Sequence, residues 1–573
     1  MLLALPLISG FTSEHGFSLA LPRQVPLASA AELAGHPTAG TTTEVEHRMR
    51  KAVIVGVGQY RRNPKLDGPF EPWEPAAMMA EAIRRAVADA RIMGDAAADT
   101  IGASTTLLAC VDPMAWGYAD ACATVASMAG VNPGAEGLMV PPGGNSPGEL
   151  LNTLANRIVA GDAEVAILAG SECVFGRRRA IKEERALDWT PFEGRRDFLK
   201  GQRPLTTTVE SRHGMTGPIH CYPLYENALR AKAGRTVDEH QAFLGTFMAR
   251  NAAVAATNPY AWFPIAYTAE EVSTPTENNR WVCFPYPKRM NAIMEVDLSA
   301  AIIVMSSEEA DRRGIPRANQ VAFLGGASAI DAWTPCERID FTSSPAMRAA
   351  ATQAFEHASL TVDNVDLFDL YSCFPSAIEM ALSELGVTTD DPRGATVTGG
   401  LAYAGGPGNS YALHGLAAMT ERLRDPRNEA TVGLVTSLGM TATKHAYNVL
   451  SSDPRNWDAA TGQANKVVLP PEQLTGPELV DETTGEGVIE TYTIEFDRTG
   501  AAVRSIMIVR LDDGRRTVGN GMCTDDETRT LMTTEAVGRK VHVTGGATGA
   551  PSEQTTITGA PSDPGTPNRV EFV

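Results

Sequence analysis

Short apolar runs alternate with amphipathic segments along most of this 573-residue chain. Apolar runs of about four to eight residues are typical of buried strands, and apolar residues repeating every three or four positions are typical of packed helices. The pattern predicts strands at 52–57, 105–110, 164–169, 300–305, 321–324, 365–370 and 431–436. It predicts helices at about 74–92, 147–160, 345–358, 375–386 and 411–424. This alternation indicates a layered α/β fold.

One unit of this pattern occurs twice. The glycine loops at 143–146 and 405–410 are each followed by a predicted helix and then by a predicted strand. Two equivalent α/β halves, at 49–315 and 316–460, are the simplest interpretation. Residues 175–290 interrupt the first half with many Pro and Tyr and mixed charge, which predicts a cap insertion rather than another sheet layer.

The chain changes character at both ends. Residues 1–48 are rich in Ser, Thr, Ala, Gly and Pro without periodicity, which indicates either a disordered extension or a start codon assigned too early, with Met49 as the functional start. Beyond the second half, alternating apolar and polar residues predict a separate small β-domain at 468–545. Residues 546–573, rich in Thr, Gly, Ser and Pro, are predicted to form a flexible tail.

Composition restricts the class of protein. The 68 Asp and Glu outnumber the 49 Lys and Arg, giving a net charge of −19 that repels phosphate backbones and disfavours a nucleic-acid partner. No apolar run reaches the roughly 18–20 residues of a membrane span. The first ten residues lack the basic start of a secretory signal. The eight Cys form no CxxC pairs, so we expect no metal, no disulfide framework and a reducing cytoplasm.

Five segments occur in the order and context of the thiolase superfamily: 49–58, 143–171, 366–374, 399–408 and 434–439. Over about 50–455 the chain most resembles the sterol-carrier-protein thiolases and the actinobacterial thiolase-like proteins of acetyl-CoA acetyltransferase type. The resemblance implies a duplicated α/β thiolase fold of five αβαβα layers with a cap, to which a β-barrel-like C-terminal domain is added. It also implies acyltransferase chemistry in lipid metabolism, with a coenzyme A thioester as substrate or ligand and no permanently bound cofactor.

Two of the family's chemical groups are missing here. Gly144 matches the position of the nucleophilic Cys, and Asn145 and Ser146 follow it at the predicted helix start. Gly406, after Gly405, matches the His of the family's Gly-His-Pro motif. A glycine can neither accept an acyl group nor move a proton, so ordinary thiolase turnover is not expected. These five residues are predicted to form a substrate loop whose backbone N–H groups hold an oxyanion.

Three side chains remain as candidates for proton transfer. Cys373 keeps the acid/base position of this branch, although a small buried Cys is an equally good interpretation. Tyr371 and Tyr411 match places where the thiolase-fold aldolases that cleave CoA-linked steroid side chains carry tyrosines. Retro-aldol chemistry needs a phenol and no thiolate, so such a lyase is an alternative function. A non-catalytic acyl-CoA or lipid carrier is a further alternative.

Basic residues of the predicted cap are candidates for holding the phosphates of coenzyme A. They are Arg177, Arg178 and Lys182, although a solvated basic run explains them equally well. His414 and His445 are interpreted as surface or hydrogen-bonded histidines without a role. We expect an acyl-CoA small molecule as partner, no nucleic acid, no membrane span, and a monomer or a homodimer.

Overall fold

The computed structural model describes residues 50–90, 95–192, 203–548 and 565–572. The predicted extension at 1–48 lies outside these ranges. The strands are β1 (Ala52–Arg61), β2 (Leu107–Cys110), β3 (Glu136–Leu138), β4 (Val165–Cys173), β5 (Trp281–Cys283), β6 (Tyr286–Pro287), β7 (Asp297–Ser306), β8 (Val321–Ile330), β9 (Leu367–Asp369), β10 (Val432–Gly439), β11 (Lys444–Ser451), β12 (Ala464–Val467), β13 (Gly485–Phe496), β14 (Ala502–Leu511), β15 (Arg516–Asn520), β16 (Lys540–Thr544), β17 (Ala547–Thr548), β18 (Gly565–Thr566) and β19 (Arg569–Phe572).

The helices are α1 (Pro75–Asp89), α2 (Asp95–Ser104), α3 (Ala121–Ala129), α4 (Ser146–Val159), α5 (Val174–Lys182), α6 (Thr208–Arg212), α7 (Pro218–Lys232), α8 (Val237–Thr257), α9 (Ala269–Ser273), α10 (Ser307–Arg312), α11 (Pro345–Ala358), α12 (Pro375–Leu385), α13 (Tyr411–Arg424), α14 (Pro454–Ala459) and α15 (Asp525–Thr533). The five helices predicted from periodicity correspond to α1, α4, α11, α12 and α13. Each begins and ends close to its predicted limits, because its apolar face repeats with the period of a helix.

The central sheet consists of two halves with the same strand arrangement. Its order is β3-β2-β4-β7-β1 in the first half and β9-β10-β11-β8 in the second. The pairs β2/β4 and β9/β10 are parallel, whereas β4/β7, β7/β1, β10/β11 and β11/β8 are antiparallel. β1 and β8 join the halves where Val53 pairs with Ala322 and Ile54 with Val321. The predicted duplication is therefore confirmed.

Helices α4 and α13 form the central layer between these halves. α4 packs on β4 and also on β8, β10 and β11, while α13 packs on β1, β7 and β10. Leu150, Leu154, Leu413 and Leu416 are buried in the core cluster that they share with both halves. On the outer sides, α1 covers β1 and β7, and α11 covers β8 and β11. The result is the five-layered αβαβα arrangement expected from the resemblance.

The segment between β4 and β7 forms the cap. Its described part consists of helices α5 to α9 and the short hairpin β5/β6. Thr236 and Glu239 form a capping box that starts α8, the longest of these helices. α7 packs on α12 of the second half. The cap therefore covers the loop between β9 and α12, which carries Tyr371 and Cys373.

The C-terminal residues form a closed five-stranded barrel. Its strands follow the order β14-β15-β19-β16-β13, and pairing of β13 with β14 closes it. Ile489, Tyr492, Ile494, Met507 and Val541 are buried in its interior. The predicted barrel-like domain is confirmed.

The barrel includes residues that the sequence predicted to be a tail. Strand β19 pairs antiparallel with β16 and parallel with β15, and Val570 is buried in the barrel core. The prediction of a flexible tail over 546–573 is therefore wrong for Arg569–Phe572. Strand β19 has only four residues and one fully buried apolar residue, Val570. Such a short pattern is not recognisable as a strand within a segment rich in Thr, Gly, Ser and Pro.

The cap holds the barrel in place. Phe284 donates its N–H to the Ile494 carbonyl (2.9 Å), and Thr493 donates its hydroxyl to the Phe284 carbonyl (2.8 Å). Arg230, nearly fully buried on α7, contacts both carboxylate oxygens of Glu535 at 2.6 and 2.7 Å. Such paired charge-assisted hydrogen bonds fix orientation as well as distance. The barrel is thus attached to the element that covers the α12 loop.

Candidate active site

The first glycine loop leads directly into α4. Ser146 donates its backbone N–H to the Gly143 carbonyl (3.0 Å), which closes the turn before the helix. Pro147 in the first turn suits this position, since its missing N–H would have no partner there. Asn145 and Ser146 are fully buried, and the Ser146 hydroxyl donates to the Pro141 carbonyl (3.3 Å). The structure therefore buries the predicted loop at the interface of the two halves.

Gly144 has no room for a side chain. A Cβ atom added there would overlap both the Tyr371 hydroxyl and the Leu438 carbonyl oxygen. Tyr371 comes from the loop after β9 in the second half, and its N–H is held by Thr436 Oγ1 at 2.8 Å. The phenol thus occupies the place where the thiolase resemblance puts the nucleophilic Cys.

Tyr371 and Tyr411 lie together. Their rings meet edge to face, with centroids 5.4 Å apart. Burial, and next the neighbouring Cys373, raise the pKa of Tyr371, while burial and the charge of Asp369 raise the pKa of Tyr411. Both phenols therefore keep their protons at neutral pH.

A hydrogen-bond chain leads from Tyr411 to a buried carboxyl group. The Tyr411 hydroxyl and Thr398 Oγ1 are 2.6 Å apart, and Thr398 Oγ1 donates to Asp369 Oδ1 at 3.2 Å. Because the Thr398 proton is used in that bond, Tyr411 is the donor to Thr398. Burial raises the pKa of Asp369 to about 6, although hydrogen bonds from Thr396 and the backbone oppose the shift. This chain could carry a proton between Tyr411 and Asp369.

Cys373 lies beside the two phenols but is not a reactive thiol. Burial raises its pKa to about 12, and a hydrogen bond with Tyr222 only partly opposes this shift. Its carbonyl accepts the N–H of Ala292 from the cap at 3.1 Å. At neutral pH Cys373 is therefore a protonated thiol, and its acid/base role stays a prediction.

The second glycine loop packs against the cap. Gly405 has φ 105°, a left-handed conformation that favours glycine. The Gly406 N–H donates to the Ile293 carbonyl of the cap at 2.8 Å. This N–H is therefore engaged with the cap, and the oxyanion role of Gly405 and Gly406 stays a prediction.

The basic residues predicted to hold phosphate lie on α5. Arg178 pairs with Glu295 (2.6 Å), Arg177 lies over the Trp116 ring with its Cζ 5.9 Å from the centroid, and Lys182 is exposed. Within the described residues, no hydrogen bond or ion pair joins them to either glycine loop. Their phosphate-binding role stays a prediction.

His414 and His445 are both buried, contrary to the surface interpretation. His414 Nδ1 is 2.9 Å from Gln59 Oε1, and His445 Nε2 is 2.9 Å from the Ala442 carbonyl. Burial lowers the pKa of each to about 4. They are neutral at pH 7, and the hydrogen bond of His445 agrees with the interpretation of a satisfied histidine.

Sequence reasoning missed a buried polar cluster behind the Cys373 loop. Ligand atoms of Glu226, His240 and Glu379 lie within 4.8 Å of one another, a spacing that could hold a metal ion. However, Arg235 Nη1 is 3.3 Å from His240 Nδ1, and an Arg can only donate. His240 Nε2 therefore carries the proton and donates to Glu226 at 2.7 Å. The tautomer fits a hydrogen-bond network, and no local motif could have revealed residues so far apart in sequence.

This network supports the start of α12. Tyr286 donates its hydroxyl to Glu226 at 2.6 Å and accepts the Ser376 N–H at 3.3 Å. The Tyr286 ring also stacks on Phe374, with centroids 5.8 Å apart. The cap thereby fixes the backbone next to Cys373.

The fold and the paired glycine loops define a thiolase-type protein. Its nucleophile position holds a glycine, and the Tyr371 hydroxyl fills the space beside it. Residues 471–548 match the family model "Thiolase-like protein type 1 additional C-terminal domain". The structure is similar to that of a monomeric SCP2-thiolase-like protein type 1 from Mycobacterium smegmatis, with 29% identity, TM-score 0.70, and coverage of 91% of this chain and 99% of that one. Both matches support an SCP2-thiolase-like assignment of the chain within the thiolase superfamily.

The fold is shared more widely. An acetyl-CoA acetyltransferase from Syntrophomonas wolfei matches at 14% identity and TM-score 0.50, covering 71% of this chain and 100% of that one. No curated protein sequence matches significantly. Among the helices of the described ranges, none combines the length and the apolar character needed to cross a bilayer.

Proposed function

We propose that this chain binds acyl-CoA thioesters in cytoplasmic lipid metabolism without ordinary thiolase turnover. The observation that carries the proposal is the packing of the Tyr371 hydroxyl where a side chain at Gly144 would lie. A thiolase fold that fills its nucleophile position keeps the shape of the site but loses the covalent step.

The side chains near the first glycine loop support the loss of the covalent acyl-transfer step. Acyl transfer through a covalent intermediate needs a thiolate close to the thioester carbon. Gly144 offers none, and Cys373, with its pKa raised to about 12, holds its proton. Neither residue is expected to accept an acyl group at neutral pH.

A cavity that the Lys444 side chain connects to the residue before the first glycine loop supports binding. It has a volume of about 590 Å³, and its lining includes Trp333, Ala332 and Leu469. Lys444 Nζ lies 5.6 Å from the centre of the Trp333 ring and donates to the Pro142 carbonyl at 3.3 Å, next to the loop. The size and the apolar part of the lining suit an acyl chain, while the charged residues Arg203, Asp331, Glu337, Lys466 and Glu478 also line the cavity. Neither glycine loop lines it.

An amide in the loop supports the placement of the thioester. Asn145 is fully buried, and its amide contacts only the Glu149 carboxyl, whose pKa burial raises and this contact lowers, so its side chain keeps unused hydrogen-bonding capacity among the described residues. A buried polar group without a partner costs about 1–3 kcal/mol. A thioester carbonyl that accepts from Asn145 Nδ2 would recover part of this cost.

The test combines titration calorimetry with mass spectrometry. Decanoyl-CoA should bind without heat of turnover, and mass spectrometry after denaturation should find no acyl adduct. Trp333→Ala should weaken decanoyl-CoA binding about tenfold, whereas Trp189→Ala, a half-buried tryptophan of the cap, is the matched control. Absence of binding, or an acyl group trapped on any residue, would overturn the proposal.

A retro-aldol lyase is the second candidate, and the phenol pair favours it. Tyr371 has no hydrogen-bond partner for its hydroxyl within the described residues, and Tyr411 is linked to Asp369 through Thr398. In such a cleavage a base takes the β-hydroxyl proton of the CoA-linked substrate, the Cα–Cβ bond breaks, and an acid returns a proton to Cα. Tyr371→Phe and Tyr411→Phe should each abolish cleavage of a β-hydroxyacyl-CoA if this candidate is correct, with thioester binding retained.

A further inference from the structure

A second cavity lies at the end of β1, away from the Trp333 cavity. It has a volume of about 330 Å³, and its lining includes Tyr60, Arg62, Arg85 and Tyr260. This volume lies at the lower end of the range for small-molecule sites. Three arginines, Arg61, Arg62 and Arg85, and one acidic residue, Asp67, line it, although the chain as a whole carries a net charge of −19.

Arg62 is the cation of this cavity without an ion pair, although it lies near enough to Asp67, which also lines the cavity and pairs with Arg61, to lower the pKa of that carboxyl. Its Nη1 donates to the Tyr60 hydroxyl (3.3 Å) and its Nη2 to the Glu71 carbonyl (2.7 Å), and no carboxylate within the described residues pairs with it. Its Nε is buried without a hydrogen-bond partner. By contrast, both Arg61 and Arg85 have a carboxylate partner, Asp67 and Glu81 respectively. A half-buried guanidinium with an unused donor indicates a missing anion.

Aromatic rings fix the position of these guanidinium groups. Arg62 Cζ lies 4.3 Å from the centre of the Trp73 ring, and Arg85 Cζ lies 4.3 Å from the centre of the Tyr60 ring. Tyr60 therefore bridges the two cations, since its ring contacts Arg85 and its hydroxyl contacts Arg62. Such stacking holds guanidinium planes ready to contact phosphate oxygens in pairs.

We propose that this cavity binds a nucleoside phosphate, with Arg62 and Arg85 on the phosphate and Tyr260 beside the base. Phosphate oxygens match the donor pairs of guanidinium groups, and a half-buried phenol ring offers a stacking surface for a base. Pro259, next to Tyr260 in the lining, adds a rigid apolar wall. This proposal does not depend on thioester binding at the glycine loops. The cavity would recognise only a base and phosphate groups, and ADP alone carries both.

Calorimetry with ADP, inorganic phosphate and adenosine tests the proposal on the intact chain. ADP should bind more tightly than phosphate, and adenosine should bind more weakly than ADP. Arg62→Gln should weaken ADP binding at least tenfold, and Tyr260→Ala should reduce the advantage of ADP over phosphate. Arg84→Gln is the matched control, because Arg84 neighbours Arg85 on α1 and pairs with the same Glu81 but does not line the cavity.

Arg85→Gln is the second variant, used if Arg62→Gln lowers the thermal midpoint, and it should also weaken ADP binding. No binding of ADP, or equal binding by wild type and both arginine variants, would overturn the site. Equal affinities for phosphate and ADP would overturn the nucleoside assignment. Decanoyl-CoA binding to Arg62→Gln should persist through the Trp333 cavity, so failure of this site and failure of the proposed function are distinguishable.

Discussion

The two glycine loops have similar local sequences but different surroundings. In the first half, Gly144 packs against the Tyr371 hydroxyl, which belongs to the second half. In the second half, Gly405 packs against Trp262, Val296 and Leu298, all from the first half and its cap. Each loop is therefore completed by residues of the opposite half. A duplicated backbone thus gives two chemically unequal sites, because the side chains that fill them come from elsewhere.

The helices behind the loops show the same contrast. The fourth residue of α4 is Glu149, and the fourth residue of α13 is His414. Burial raises the pKa of Glu149 while Lys444 and Lys466 oppose the shift, whereas burial lowers the pKa of His414 to about 4. Equivalent positions in the duplication therefore respond to pH in different ways.

The largest expected effect comes from filling the first loop. Gly144→Ala places a Cβ against the Leu438 carbonyl, a backbone atom that cannot move aside, and should destabilise the fold by about 3 kcal/mol. Gly406→Ala is the matched variant of the second loop, where the nearest side-chain atom, Leu401 Cδ2, is 3.3 Å from the new Cβ. Its cost should stay below about 1 kcal/mol. Urea unfolding followed by fluorescence measures the free energy of unfolding of both variants. Equal losses of stability would contradict the proposed difference between the two loops.

The next effect is the pH dependence from His414. Its pKa of about 4 in the folded chain lies below the ordinary value of about 6.5. Between these values the unfolded chain takes up a proton that the folded chain does not, so stability falls as pH decreases from about 6.5 to 4. At pH 5 this contribution is about 2 kcal/mol.

His414→Gln should therefore lose less stability than wild type between pH 7 and pH 5. His542→Gln, on the partly exposed barrel surface, controls for the removal of a histidine elsewhere. If the free energy of unfolding of wild type and of His414→Gln falls equally between pH 7 and pH 5, His414 does not titrate in this way.

A smaller difference should separate the two phenols. Tyr411→Phe removes the hydrogen bond to Thr398 and should cost about 1–2 kcal/mol. Tyr371→Phe removes a hydroxyl without a partner among the described residues and should change stability by less than about 0.5 kcal/mol. Thermal unfolding of the two variants side by side measures the difference. A larger cost for Tyr371→Phe would mean that this hydroxyl is bonded in solution.

The smallest expected effect concerns Cys373. Seven of the eight cysteines are buried, and Cys523 is partly exposed. Iodoacetamide at pH 8 should label Cys523 first and leave Cys373 unmodified, because the pKa of about 12 keeps the Cys373 thiol protonated. Peptide mass spectrometry identifies the labelled residue. Rapid labelling of Cys373 in the native protein would restore it as a candidate nucleophile.

Local periodicity alone was sufficient to predict helices α1, α4, α11, α12 and α13 and most strands of the core. The pattern of Leu150, Leu151 and Leu154 marks the buried face of α4 without knowledge of what covers it. Strand β11 was missed because Lys444, His445 and Asn448 interrupt its apolar residues. The sheet buries these polar groups because partners such as the Pro142 carbonyl and Asn152 Oδ1 satisfy them.

The sequence by itself determined the duplication, the cap, a C-terminal barrel-like domain without its last strand β19, and the glycine at the nucleophile position, because each shows as a local pattern of residues. Only the tertiary structure placed the Tyr371 hydroxyl beside Gly144, engaged the Gly406 N–H with Ile293 and brought Glu226 together with Glu379. These contacts join segments that are distant in sequence, and their geometry arises from how the layers pack. The space available to one side chain is therefore a property of the packed fold.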